Sequence, residues 1–408
     1  MIKPRIDTLA TVVMIIGFIT GLCGCDLLAD YLVTADGGSA ASDPGSFHSV
    51  TMDIGLVAPL TGDYADSLGV PILNGFNLAR DEIKLYPDIP VQINFIIEDD
   101  MGTVDGAVGA FERLIEAGVP AILGPAISTH AKEAFPIAQE NRVVAFSSLS
   151  SAAGLSSVGD FIFRAALAVD KLSPAGVKAT HAQLGYKKVA MIYDNADVWS
   201  TSSNEYLTAA LEGQGVEVVT TQTIQTGDVD FSGQLEAIME TEPDVLFISA
   251  LPPEMVKIMI QGRKTGIDAQ YIVSQMSMHE VEQAGDAAEG AITVVGWHID
   301  APANLHFVDS YRAAYGIDPD PWAAQAYATF FILYAAIVEA ESMDATAIRD
   351  ALALTEDFDT NLGSFSFDEN GEAVYDPVVL VVKDGMFEMF GTTDEAKEDS
   401  SEANDSAL

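Results

Sequence analysis

The histidine and acidic side chains of this 408-residue chain are the first candidates for catalytic chemistry. His279 and Glu280 are adjacent, as in the zinc-protease pattern, which needs a second histidine one helical turn later. Gln283 occupies that position, so the pattern fails. Nucleophile-elbow, P-loop and dinucleotide-binding patterns do not occur between a predicted strand and helix either. The sequence therefore does not predict an enzyme.

Two further clusters raise the question of a metal site. Glu98-Asp99-Asp100 follows a predicted strand, where such acids form either a metal or acid–base cluster or a polar loop. The stretch 275–279 contains Met276 and Met278, which suit either a soft metal or the lining of a core or cleft. The simpler alternative is favoured in both cases, so we expect no metal and no other cofactor.

The stretch 56–65 is a strand that ends in a small polar turn. The apolar run 54–58 predicts a buried parallel strand, which breaks at Pro59 into Thr61-Gly62-Asp63 before an amphipathic helix over 71–83. Open α/β sheets place their ligands at such strand ends, although an ordinary connecting loop looks the same.

Strands and helices alternate along the remaining chain. This rhythm predicts an α/β fold with two doubly wound lobes, each built on a parallel sheet. A hairpin turned by Asp384-Gly385 is expected near the end. The predicted strands lie at 91–98, 121–124, 143–147, 189–193, 216–221, 245–249, 271–274, 291–296, 378–383 and 386–390. The predicted helices lie at 104–117, 128–141, 173–184, 199–213, 231–240, 253–265, 304–315, 322–341 and 345–354.

The N-terminal segment has the pattern of a secretory signal. Lys3 and Arg5 precede a mostly apolar stretch over 9–22, too short and wrongly flanked for a stable membrane-spanning helix. Leu22 and Gly24 before Cys25 resemble a bacterial lipobox, in which residues 1–24 are removed and Cys25 becomes lipid-modified. An unlipidated signal peptide is the alternative. Residues 25–49 are expected to form the anchor and a flexible linker.

The charge balance excludes some partners. The chain has 61 acidic against 19 basic residues and a formal net charge of −42. Nucleic acids and anionic lipid headgroups require basic patches, so we expect no nucleic-acid partner. The acidic excess suits either saline surroundings, which is favoured because the charge is spread along the chain, or a cationic ligand. Residues 392–408 are expected to form an acidic, disordered tail.

Eight segments in order resemble the Leu/Ile/Val-binding family of extracytoplasmic solute receptors. The resemblance covers residues 52–391 and implies the type I periplasmic-binding-protein fold, two lobes joined by a three-stranded hinge. It places the N-terminal lobe at 50–167 plus 299–375 and the C-terminal lobe at 168–298 plus 376–391. Hinge crossings are expected near 164–170, 296–301 and 375–377. The segments are 55–62, 74–79, 124–129, 163–165, 192–195, 253–255, 325–327 and 367–371.

The resemblance also implies which residues hold the solute. Hydroxyl and backbone groups of the first lobe would bind a carboxylate, and an aromatic ring of the second lobe would cover the ligand side chain. A helix start, a serine-rich turn or a core tryptophan would account for the same residue types. The implied ligand-binding residues are Thr61, Ser67, Ser128, Leu149, Ser150, Ser151, Trp199 and Gln275.

Two of these positions depart from the family pattern. Gln275 stands near the position where branched-chain amino-acid receptors carry a glutamate for the ligand ammonium, and Ser67 replaces a common aromatic residue. Asp197, Asp170 or Glu280 could supply the missing charge.

The resemblance implies a lipid-anchored receptor that captures an amino acid or similar small polar solute for an ABC permease, outside the cytoplasm. The alternative is a sensory receptor on the same fold that signals to a partner protein.

Overall fold

The computed structural model describes residues 50–86 and 89–391. The predicted signal peptide, the lipidation site Cys25, the linker and the acidic tail lie outside these residues.

The first lobe, lobe 1, is built on a five-stranded parallel sheet with the order β2-β1-β3-β4-β5. The C-terminal half of β1 is buried on both faces, as expected for a parallel strand between helical layers. The strands are β1 (Val50–Ala58), β2 (Val91–Asp99), β3 (Ala121–Leu123), β4 (Val144–Ser147) and β5 (Ile162–Arg164). The connecting helices are α1 (Val70–Lys84), α2 (Val104–Glu116) and α3 (Ser128–Asn141).

The second lobe, lobe 2, is built on a seven-stranded sheet with the order β15-β14-β10-β9-β8-β6-β7. Its strands are parallel except β14, which is antiparallel to both β10 and β15. The strands are β6 (Lys188–Asp194), β7 (Glu217–Ile224), β8 (Val245–Ser249), β9 (Gln270–Val273), β10 (Ile292–Val295), β14 (Val378–Lys383) and β15 (Met386–Met389). The helices are α4 (Val169–Leu184), α5 (Val198–Gly213), α6 (Ser232–Met239), α7 (Pro252–Thr265) and α8 (Met278–Ala284).

Three later helices return to lobe 1 and complete its core. They are α9 (Leu305–Tyr315), α10 (Pro321–Ala340) and α11 (Ala345–Leu352), and a small antiparallel sheet of β11 (Phe358–Thr360), β12 (Gly363–Phe367) and β13 (Ala373–Val374) follows. Helix α10 is long and apolar enough to cross a membrane, but 72% of its apolar window is buried within the protein. It packs against α1 so closely that a Cβ on Gly75 would lie 2.3 Å from the carbonyl oxygen of Ala323. Helix α10 is therefore a core helix.

The chain passes between the sheets in three places: between β5 and α4, between β10 and α9, and between β13 and β14. Several elements differ from the sequence prediction. The short strands β5, β11, β12 and β13 were not predicted. Helix α4 begins at Val169, four residues before the predicted start, because Pro174 is accommodated inside the helix. Helix α8 was not predicted, since its seven residues are too few for a clear period.

Candidate functional site

A cavity lies between the two lobes, at the carboxyl ends of the parallel strands. Residues of both lobes line it, and its cavity volume is about 50 Å³. Five of the eight residues implied by the resemblance line it, and three of them belong to lobe 1. These five are Ser128, Leu149, Ser151, Trp199 and Gln275.

The other three implied residues do not line the cavity. Thr61 is exposed and its hydroxyl donates to Asp99 Oδ2 at 2.6 Å, which connects the loop after β1 to the end of β2. Ser67 and Ser150 are 2% and 1% exposed, and neither hydroxyl has a hydrogen-bond partner among the described residues. Leu68, next to Ser67, provides the cavity wall at this point.

The N-terminus of α3 faces the cavity from lobe 1. Ala126, Ile127 and Ser128 line the cavity, so the first backbone N–H groups of the helix lie at its wall. Ser128 does not cap its own helix, because its Oγ accepts from the N–H groups of Ser151 and Ala152, both at 3.1 Å. These hydrogen bonds join the start of α3 to the loop after β4. A helix N-terminus suits an anionic group.

Glu280 is the acidic side chain that lines the cavity. It is 1% exposed, and its Oε2 accepts from the N–H and the hydroxyl of Ser277 at 2.7 and 2.8 Å, which forms the capping box of α8. Its Oε1 has no hydrogen-bond partner among the described residues. Burial raises the pKa of Glu280, and the Ser277 hydrogen bonds oppose this shift.

The other two candidates for the missing charge are placed differently. Both oxygens of Asp197 are occupied, one by Thr129 and the other by Ser200, and Asp197 does not line the cavity. Asp170 lies near Lys171 at the start of α4 and is partly exposed. Among the three acids, Glu280 alone lines the cavity.

Gln275 connects the lobes across the cavity. Its Oε1 accepts from the hydroxyl of Ser151 at 3.3 Å, and the side chain is 8% exposed. The neutral amide contributes a hydrogen bond but no charge at the position where the family pattern has a glutamate.

Two tryptophans contribute to the cavity wall, one from each lobe. Trp199 at the start of α5 was implied by the resemblance, whereas Trp322 at the start of α10 was not named. Each is about 5% exposed or less, and neither indole N–H has a partner among the described residues. The sequence feature that could have identified Trp322 is its position as an aromatic residue at the start of a long apolar helix. Leu68, Leu149, Leu251 and Met255 complete a mostly apolar wall.

The three acids at the end of β2 each contact other protein groups. Glu98 pairs with Arg113 at 2.7 Å, Asp99 binds the loop after β1, and Asp100 lies 3.3 Å from His130. Among residues 50–86 and 89–391, no group of three or more His, Cys, Asp or Glu side chains could hold a metal ion.

Asp320 is expected to make the protein less stable as the pH rises. It caps α10 by accepting from the N–H of Ala323 at 2.8 Å. Burial, with the nearby charge of Glu280, raises its pKa to about 7. The folded state therefore holds this proton more tightly than the unfolded state, so the free energy of unfolding falls between about pH 4 and pH 7. Above pH 7 Asp320 is ionised in both the folded and the unfolded state, and the loss of stability is complete.

Asp320→Asn keeps a good cap and removes the charge. We expect it to raise the free energy of unfolding at pH 8 and to leave it nearly unchanged at pH 4, as measured by urea denaturation. Asp309→Asn, at an exposed carboxyl on α9, serves as the control. An equal effect of Asp320→Asn at both pH values would contradict the argument.

Two α/β lobes with a cavity between them, at the carboxyl ends of their parallel strands, define a bilobal solute-binding protein. The chain belongs to the periplasmic binding protein family, whose model matches residues 51–386. The resemblance and the fold predicted from the sequence are therefore confirmed.

Similar proteins carry names of amino-acid receptors. The Leu-, Ile-, Val-, Thr- and Ala-binding protein of Pseudomonas aeruginosa is 22% identical over 327 residues, 79% of this chain and 87% of that protein. The Leu/Ile/Val-binding protein BraC3 of Rhizobium johnstonii is 27% identical over 325 residues, 78% of this chain and 88% of its own.

Solved structures give the same result. The leucine-binding protein LivK of Thermotoga maritima has a TM-score of 0.78 and 26% identity, and the match covers 83% of this chain and 97% of LivK. The branched-chain amino-acid transporter protein LivJ of Streptococcus pneumoniae, solved with isoleucine, has a TM-score of 0.77 and 25% identity over 83% of this chain and 98% of LivJ.

Proposed function

We propose that this protein is the extracytoplasmic solute-binding component of an ABC importer for amino acids with an apolar side chain. The observation that carries the proposal is the Glu280 carboxyl oxygen that has no hydrogen-bond partner among the described residues. It lies in a mostly apolar cavity, with the N-terminus of α3 in the same wall. These two features supply a cationic and an anionic subsite for a zwitterion.

The ligand carboxylate would bind at the start of α3, near Ser128 and Ser151, where N–H groups and hydroxyls meet. The ammonium would bind Glu280, which takes the role that the family pattern gives to a glutamate near position 275. The two tryptophans and the aliphatic wall would cover the side chain. The site implied by the resemblance thus gains Glu280 and Trp322, while Thr61, Ser67 and Ser150 would support the surrounding loops.

A solute that contacts both lobes stabilises the closed arrangement through its higher affinity for that state. A membrane permease would recognise this closed form, so the protein's work is binding and delivery without a chemical reaction. Proteins of similar structure that are substrate-binding proteins of transporters support this role over a sensory one. A lipid on Cys25 would keep the receptor beside the permease.

Isoleucine and leucine are expected to stabilise the mature chain, which starts at Cys25. At 100 times its dissociation constant, a ligand adds about 2.7 kcal/mol to the free energy of unfolding. A thermal-shift panel of amino acids, amides and small carboxylates measures this directly. Glycine, which leaves the apolar wall uncovered, is the matched control. The proposal fails if no apolar amino acid raises the melting temperature while another solute does.

Cys25→Ser is expected to release the protein from membranes or to stop its processing. A single acyl chain binds a membrane only marginally, so firm attachment needs the full lipid modification of this cysteine. Fractionation of cells expressing the variant, with Cys23→Ser as the control, measures attachment. Unchanged membrane attachment of Cys25→Ser would contradict the lipid anchor.

A further inference from the structure

Thr129 and Asp197 join the two lobes outside the solute cavity. Thr129 is the second residue of α3 in lobe 1, and Asp197 caps α5 in lobe 2. The Thr129 hydroxyl donates to Asp197 Oδ1 at 2.6 Å and accepts from the N–H of Val198 at 2.9 Å. Neither Thr129 nor Asp197 lines the cavity, so this contact is separate from the proposed ligand contacts.

The buried Asp197 carboxylate receives one of its hydrogen bonds from this contact. It is 3% exposed, and its second oxygen accepts from the N–H and the hydroxyl of Ser200, both at 2.8 Å. Its partners among the described residues are neutral donors, and Asp194 nearby adds a like charge. Burying a carboxylate without a cation is costly unless hydrogen bonds compensate. The Thr129 hydroxyl supplies that compensation from the opposite lobe.

A second hydrogen bond also joins lobe 1 to α5. The hydroxyl of Ser202 on α5 accepts from the N–H of Ala153 in lobe 1 at 3.1 Å. The starts of α3 and α5 are thus held together by side-chain hydrogen bonds between protein groups alone.

We propose that Thr129 and Asp197 form an interlobe latch that stabilises the closed arrangement of the empty protein. The latch raises the population of the closed state, and the apparent affinity for solute rises with that population. Thr129 is therefore a positioning residue that sets affinity without touching the solute. The statement about affinity rests on the proposed function, whereas the statement about the empty protein does not.

Thr129→Val tests the latch because it keeps the shape of the side chain and removes the hydroxyl. A hydrogen bond to a charged group is lost, so the ratio of closed to open protein is expected to fall about 10- to 100-fold. Thr129→Ser retains the hydroxyl and should remain close to the parent protein. Thr201→Val, the same change at an exposed position on α5, is the matched control.

Spin labels measure this ratio without any solute. The mature chain with Cys25→Ser has no remaining thiol, so labels can be placed at Glu133→Cys on α3 and Glu205→Cys on α5, both exposed. Pulsed electron paramagnetic resonance should show longer distances for Thr129→Val than for Thr129→Ser, Thr201→Val or the parent. Circular dichroism checks that each variant is folded.

The same four proteins are then titrated with isoleucine, and Thr129→Val should have the weakest binding. The latch is wrong if the empty parent protein is entirely open, if Thr129→Val leaves the distances unchanged, or if Thr129→Ser opens as far as Thr129→Val. If isoleucine binds none of the four, the proposed function fails. The distances between the spin labels still test the latch, because they are measured without solute.

Discussion

Glu280→Gln is expected to weaken the binding of isoleucine by at least about 30-fold, which corresponds to about 2 kcal/mol. The reason is that the ammonium would lose its buried negative partner and retain only a neutral amide. Glutamine is also a good third residue of a capping box, so the Ser277 contacts and α8 should persist. Isothermal titration calorimetry at neutral pH measures the change in affinity.

The design separates charge from structure. Glu282→Gln makes the same change at an exposed position of the same helix and should leave affinity unchanged. The unfolding free energy of Glu280→Gln should equal or exceed that of the parent, because a buried charge has been removed. Isoleucine binding of parent strength by Glu280→Gln would remove Glu280 from the site. In that case, the isoleucine affinity of Gln275→Ala would show whether the Gln275 amide contributes to binding the ammonium.

The sheet strands could be predicted largely from the sequence, because buried parallel strands are continuous apolar runs. The predicted strand 245–249 coincides with β8. Helix α8 escaped prediction because its start depends on a side-chain capping box in a stretch with no clear apolar period. The start of α4 was placed too late because a proline inside a helix is unusual.

The site was only partly predictable, since its residues converge from distant parts of the chain. Five residues that the resemblance implies come from loops after β3, β4, β6 and β9 and meet at the cavity: Ser128, Leu149, Ser151, Trp199 and Gln275. The choice of Glu280 over Asp197 and Asp170 required knowing which carboxyl oxygens already have partners. Thr61 stays a predicted ligand residue. Its hydrogen bond to Asp99 could not be predicted, because it depends on the pairing between β1 and β2.

Arg164 fixes the loop that carries Ser151. Its side chain is fully buried at the end of β5, and its Nη1 donates to the carbonyl oxygens of Ser150 and Ala152 at 3.1 and 2.6 Å. Its Nη2 pairs with Glu372, which also accepts from the hydroxyl of Ser156. The two carbonyls flank Ser151, so the guanidinium holds this residue in the cavity wall from behind.

Arg164→Met is expected to lower the free energy of unfolding by about 3–5 kcal/mol. The methionine fills similar space but leaves Glu372 without its cation and the carbonyl oxygens of Ser150 and Ala152 without their donor. Urea denaturation measures the loss. Lys171→Met, which removes an exposed cation, should cost less than about 1 kcal/mol because surface ion pairs contribute little. A loss for Arg164→Met as small as for Lys171→Met would show that the loop is held by other contacts.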